Sequence, residues 1–129
     1  MRGAALAAAL WAGAAAAEGV DAVGTWACTM EVYDSGEIGA PEVFNISLYR
    51  DGTWALSGRS PDGAVYQGEG QWRYGRTNAG GASVTVEGQT QKPDAMPEPI
   101  AFTVDILGPD GMARAETEYR RTVSVDCGR

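Results

Sequence analysis

Short runs of alternating apolar and polar residues constrain this chain more than any other feature. In Val43 to Arg50, for example, Phe44, Ile46 and Leu48 are apolar and the residues between them are polar. A period of two predicts a β-strand that buries one face. No long segment after residue 17 carries the period of a helix. The sequence therefore predicts an all-β domain.

The same pattern, followed along the chain, predicts eight strands. They are Gly24 to Tyr33, Val43 to Arg50, Thr53 to Gly58, Ala64 to Tyr74, Ala82 to Gly88, Ile100 to Leu107, Met112 to Glu118 and Arg121 to Cys127. The seventh is the weakest prediction, because neither of its faces is clearly apolar. Gln89 to Pro99 is predicted to be irregular, since Pro93, Pro97 and Pro99 exclude pairing in a ladder.

The fourth strand places two glycines, Gly68 and Gly70, on the face shared by Tyr66 and Trp72. Glycines at such positions fit a sharply coiled strand, where a side chain would collide across a narrow barrel. The alternative is that they only weaken an edge strand.

Consecutive strands joined by short turns predict an eight-stranded antiparallel up-and-down barrel, with a two-sheet β-sandwich as the alternative. Closure of a barrel places the first strand beside the last. Cys28 and Cys127 lie on those two strands, each on the apolar face. We therefore expect one disulfide at the join, the alternative being two free buried thiols.

Residues 1–17 are predicted to be a signal peptide, and residues 18–129 a single β-barrel domain. Met1-Arg2 supplies a positive start, an alanine-rich apolar run follows, and Ala15-Ala16-Ala17 provides small residues for cleavage. The alternative is a terminal helix of the folded domain. The run is shorter than a membrane span of roughly 20 residues. The leader looks bacterial, and we expect the protein in the periplasm or secreted.

Two motifs resemble the small lipocalin-like barrels of the calycin group. Gly24-Thr25-Trp26 is similar to the Gly-x-Trp that begins their first strand, and Tyr66-x-Gly68-x-Gly70-x-Trp72 fits the same picture. The resemblance implies a barrel that can carry a small apolar ligand. In size the chain is closer to the bacterial periplasmic inhibitors of secreted proteases, which also use an eight-stranded barrel. By that similarity, residues 18–23 would be the inhibitory segment, although the family's early cysteine pair is missing.

The residue types argue against catalysis and against several classes of partner. The chain has no histidine, which removes the commonest general base and metal ligand, so no enzyme activity, metal site or cofactor is predicted. Glu116 and Glu118 share one strand face, where a solvated surface explains them. The formal charge of −7 makes nucleic acid a poor partner.

Aromatic residues supply the candidate binding sites. Predicted inward aromatics form the candidate pocket for an apolar ligand: Trp54, Tyr66, Trp72, Tyr74 and Phe102. The alternative is that these side chains simply fill the core. Tyr33, Tyr49 and Tyr119 are predicted to face outward, where aromatics often mark a contact surface.

The function predicted from the sequence is an exported, non-catalytic binding or interaction module of the bacterial envelope. Its partner is expected to be another envelope or secreted protein. The alternatives are a carrier of a small apolar ligand and an inhibitor of a secreted protease.

Overall fold

A computed structural model describes residues 20–129, which fold into an all-β barrel. The strands are β1 Gly24–Asp34, β2 Glu37–Ile38, β3 Glu42–Leu48, β4 Thr53–Arg59, β5 Val65–Arg76, β6 Ala82–Gln91, β7 Glu98–Gly108, β8 Gly111–Glu118 and β9 Arg121–Gly128. From β3 onward each strand pairs antiparallel with the next, and β1 pairs with both β3 and β9. The closed eight-stranded antiparallel barrel is confirmed, and the sandwich alternative is wrong. The predicted signal peptide, residues 1–17, lies outside the described residues.

Two local predictions differ from the structure. β2 is an additional strand of two residues, attached to the end of β1. The stretch from Gln89 to Pro99 was expected to be irregular, but residues 89–91 belong to β6 and residues 98–99 to β7, where Pro99 lies opposite Gln89. A proline is tolerated in a strand that has a partner along only one edge. Along its other edge β7 has no partner at Pro99, as described below. In residues 20–129 no helix is long and apolar enough to cross a membrane.

A disulfide joins the first and last strands of the barrel. Cys28 and Cys127 are register partners across β1 and β9, and their sulfurs are bonded. Both side chains are buried in the core. The predicted disulfide at the join is confirmed, and the alternative of two free thiols is wrong.

Glycines allow β5 and β6 to approach each other closely inside the barrel. Gly70 and Gly88 are register partners, and Gly68 lies two residues before Gly70. A Cβ atom on Gly70 would lie 2.1 Å from the Glu87 carbonyl oxygen and 2.9 Å from the Trp54 ring. The Trp54 ring and the backbone of β6 thus occupy the space that side chains at these positions would need. Since β5 pairs with both β4 and β6, the alternative that the glycines weaken an edge strand is wrong.

The barrel has two distinct ends. We call the end that carries the hairpins β3–β4, β5–β6 and β7–β8 the N-terminal end, because Val20–Val23 packs there. The far end carries the β8–β9 turn and the start of β7. The fully buried large side chains are Trp26, Trp54, Ile46, Leu48, Met112, Val84, Val86 and Val104.

Backbone and side-chain hydrogen bonds fix the segment before β1. The Ala22 N–H donates to the Tyr74 hydroxyl, and the Trp26 indole donates to the Ala22 carbonyl. Arg129 donates to the carbonyls of Asp21 and Val23 and lies 4.0 Å above the Trp26 ring. A hydrogen bond from the Val23 N–H lowers the pKa of Asp21. These contacts hold Val20–Val23 against the N-terminal end of the barrel.

Candidate functional site: an opening between β7 and β8

The barrel wall is interrupted between β7 and β8. Near the N-terminal end, Asp105 pairs with Ala113 and Ile106 with Met112, and the register shifts between Ile106 and Gly108. Continued pairing would place Thr103 opposite Ala115, yet no register pair joins β7 and β8 beyond Asp105 and Ala113. The two strands therefore face each other without a ladder from there to the far end.

The residues of β8 explain why the wall opens there. Register partners in an antiparallel pair point to the same side of the sheet. Met112 pairs with buried Cys127 and belongs to the core, but the next two positions in the same row are Arg114 and Glu116. Burying such charges costs several kcal/mol per ion, by order of magnitude. Separation of β7 from β8 keeps both side chains in contact with solvent.

Arg114 bridges the two strands at the point where they separate. Its Nη2 donates to the Asp105 carboxylate on β7 at 2.6 Å, and its Nη1 donates to Glu116 at 2.9 Å. These hydrogen bonds raise the pKa of Arg114. The Arg114 guanidinium therefore stays charged, and its hydrogen bonds to Asp105 connect β7 and β8 where their pairing ends.

We call the resulting opening the side cleft. It has a volume of about 940 Å³ and is lined by Asp34, Ser35, Ala101–Thr103, Glu116–Arg121, Val123 and Val125. Its floor is apolar, because Phe102, Val123 and Val125 belong to the inward rows of β7 and β9. Its rim consists of small and charged residues together with the exposed Tyr119. The side cleft thus exposes part of the barrel interior through the wall.

Only Phe102 of the five predicted ligand-binding aromatics lines the side cleft. It also packs against Phe44, with ring centroids 6.1 Å apart. Trp54 is buried, and its indole donates to the carbonyls of Gln71 and Glu87. Trp54 therefore bridges neighbouring strands within the core.

The remaining aromatics lie elsewhere in the barrel. The Trp72 indole donates to the Tyr49 carbonyl, and the Trp72 ring meets the Tyr74 ring edge-on at 4.9 Å. Tyr74 holds the N-terminal segment. Tyr66 packs across Gly58, where a Cβ atom would lie 2.6 Å from its ring. The structure does not bring the five aromatics together around one cavity.

The environment of Tyr66 strongly raises the pKa of its hydroxyl. Its hydroxyl lies 3.5 Å from the Glu42 carboxylate. Burial, reinforced by this negative charge, raises the pKa of Tyr66 to about 12. The phenol therefore remains neutral at physiological pH and acts as a hydrogen-bond donor.

The exposed tyrosines do not form a single patch. Tyr49 lies next to the β3–β4 turn at the N-terminal end, whereas Tyr119 lies in the β8–β9 turn at the far end. Tyr33 is half-buried and pairs with Thr122 close to that turn. Tyr119, which is 95% exposed, is the one that overhangs the side cleft.

A second depression, the polar groove, lies on the outer surface of β3 to β6 beneath the Lys92–Pro97 loop. Its volume is about 1010 Å³, and outward side chains such as Asn45, Gln67 and Gln89 line it. Leu56 and Tyr66 of the core also line the polar groove, but its strands β4 and β5 are paired along both edges. We favour the side cleft as the functional site, because it alone of the two has unpaired strand edges.

One sequence signal could have located the side cleft. The strand Met112–Glu118 lacked an apolar face, and its inward row continues from Met112 into Arg114, Glu116 and Glu118. Charges in that row are incompatible with a closed wall. Within residues 20–129, no group of three or more acidic or cysteine side chains is placed to hold a metal ion.

Comparisons with known proteins assign the chain to no family. No family model, curated protein or solved structure matches the chain. The eight-stranded antiparallel barrel is consistent with a lipocalin-like fold.

Proposed function

We propose that the protein is an exported, non-catalytic binding module that uses the side cleft as its binding site. One observation carries the proposal: β7 and β8 lose their pairing beyond Asp105 and Ala113, and this loss opens the interior to solvent. Stable proteins rarely leave apolar interior and strand edges open without a use for them. The buried Cys28–Cys127 disulfide supports an oxidising, exported location in the periplasm or outside the cell.

A disulfide across the opening tests this proposal. Thr103→Cys with Ala115→Cys would join β7 to β8 at the positions that continued pairing would bring together. Ala55→Cys with Glu69→Cys is a matched control, because these exposed residues are already register partners across β4 and β5.

Both oxidised variants and the wild type are immobilised and exposed to envelope extract, and the bound proteins are quantified by mass spectrometry. We expect wild type and control to retain the same partner, and the variant with the closed opening to lose it at least about tenfold. Equal capture by all three proteins would refute the side cleft as the site.

A carrier of a small apolar ligand is the second candidate, favoured by Phe102, Val123 and Val125 in the floor of the cleft. The volume of about 940 Å³ is within the usual range for ligand pockets. Titration with the fluorescent probe 1-anilinonaphthalene-8-sulfonate tests it. Saturable binding that the closed variant loses and the control keeps would support a carrier.

Protease inhibition, the remaining alternative, depends on a free segment before β1. Val20–Val23 packs on the barrel through Tyr74 and Arg129. This arrangement supplies no argument for an inhibitory arm, and we do not propose inhibition.

A further inference from the structure

We infer that the side cleft accepts an extended peptide segment of another protein, which pairs with the open edge of β7. The inference rests on the proposed function and specifies its partner class. The occupant would be a β-strand with alternating apolar residues and no net negative charge.

The backbone supplies the first argument. Ile100 to Val104 of β7 pair with β6 along one edge only, and the facing edge has no strand partner. Across the opening, Arg114 to Glu118 of β8 pair only with β9. Unpaired strand edges are templates for an added strand, and main-chain hydrogen bonds give such additions their affinity.

The side chains along the opening supply the second argument. Ala101 and Thr103 of β7, and Ala115 and Thr117 of β8, are small and alternate with the inward residues. Small residues along both edges allow another backbone to approach. Alternate side chains of that strand would point inward onto Phe102, whereas the others would remain in solvent.

Charge selects between a foreign segment and a second copy of this chain. The charged residues that line the cleft are of both signs: Glu116 and Glu118 lie along β8, Asp34 lies at the far end, and Arg120 and Arg121 lie beside the β8–β9 turn. Arg121 is the register partner of both Asp34 and Glu118, so positive charge lies directly beside these two carboxylates. This chain carries a net charge of −7, so another copy is repelled, whereas a segment of another protein without net negative charge is not.

Pro99 limits the site at its far end. It lacks an N–H group, and prolines and charges commonly protect edges from uncontrolled pairing. The available edge is therefore short, Ile100 to Val104, which suits one peptide segment rather than a growing sheet.

The test uses a set of acetylated nine-residue peptides that alternate Val, Leu or Phe with Thr and carry a Lys at each end. Fluorescence anisotropy measures binding to the full chain, and hydrogen exchange locates it. We expect at least one peptide to bind and to slow amide exchange at Ile100–Val104. N-methylation of alternate peptide nitrogens on the pairing edge should weaken that peptide at least about tenfold, because it removes main-chain donors.

The cross-linked variants complete the experiment. The Thr103→Cys/Ala115→Cys protein should lose peptide binding, and the Ala55→Cys/Glu69→Cys control should keep it. Absence of binding by every peptide, or equal binding of the N-methylated form, would overturn the inference. So would a dimer in sedimentation equilibrium that the closed variant abolishes, since the occupant would then be a second copy.

The two proposals fail separately. If the peptides do not bind but the closed variant still loses a captured protein or the fluorescent probe, the cleft remains the binding site and only the strand inference falls. If closure changes no binding at all, the proposed function fails as well.

Discussion

Replacing Gly70 with alanine should destabilise the barrel strongly, because no space exists for the added methyl group. The new Cβ would lie 2.1 Å from the Glu87 carbonyl oxygen, 2.7 Å from the Gly88 Cα and 2.9 Å from the Trp54 ring. Ordinary van der Waals contact begins at 3.4 Å. The carbonyl belongs to the backbone of β6, so relief requires that a strand of the sheet moves by more than an ångström.

The magnitude follows from overpacking. Inserting a methyl group into a well-packed core costs about 1–3 kcal/mol, and more where backbone must shift. Loss of glycine's freedom in the unfolded chain offsets about 0.4–1 kcal/mol. For Gly70→Ala we expect a net loss of about 2.5 kcal/mol, near the upper end of that difference, since two of its three contacts are backbone atoms. In a domain of this size that lowers Tm by about 10 °C.

Gly108→Ala is the matched control. No atom lies within 4 Å of a Cβ built there, so this variant should unfold within about 1 kcal/mol of wild type. Circular dichroism during urea and thermal unfolding measures both. If Gly70→Ala and Gly108→Ala unfolded alike, the argument that Trp54 and the adjacent strand require glycines would be wrong.

Three further predictions concern the disulfide, the buried phenol and the C-terminal arginine. Replacing both Cys28 and Cys127 with alanine should cost about 4–5 kcal/mol in urea unfolding, because the bond closes a loop with a sequence separation of 99; an unchanged midpoint would contradict this. The pKa of Tyr66 is about 10 in the unfolded chain and about 12 in the folded protein. Its neutral hydroxyl therefore contributes fully to the free energy of unfolding below pH 10, and this contribution is lost as the pH rises to 12. Tyr66→Phe should lack this loss of stability between pH 10 and pH 12. If the free energies of unfolding of wild type and variant fell in parallel over that range, Tyr66 would not be the cause. Arg129→Ala should lower the free energy of unfolding by about 2 kcal/mol, because three backbone carbonyls lose their donor and the Trp26 ring loses its cation. An unfolding curve identical to that of the wild type would show that these contacts do not stabilise the fold.

Local sequence determined the strands and much of their arrangement. Alternation placed Phe44, Ile46 and Leu48 on the inward face of β3, because side chains on a strand alternate between two sides. The two cysteines indicated where the barrel closes, because Cys28 lies on the first strand and Cys127 on the last, and the two are register partners. Charge also carried a signal: Arg114 and Glu116 already made their strand a poor core strand.

Tertiary structure decided the candidate site. The charges of β8 mark it as a poor wall strand, but they do not fix where its ladder with β7 ends, because that depends on the register of the two strands and on the Arg114 bridge to Asp105. The tertiary structure also places Trp54 and Trp72 in the core, whereas Phe102 lines the side cleft. A periodic pattern specifies which face of a strand is apolar. Whether that face meets other side chains or an opening depends on the whole barrel, since only the closed sheet determines which edges remain unpaired.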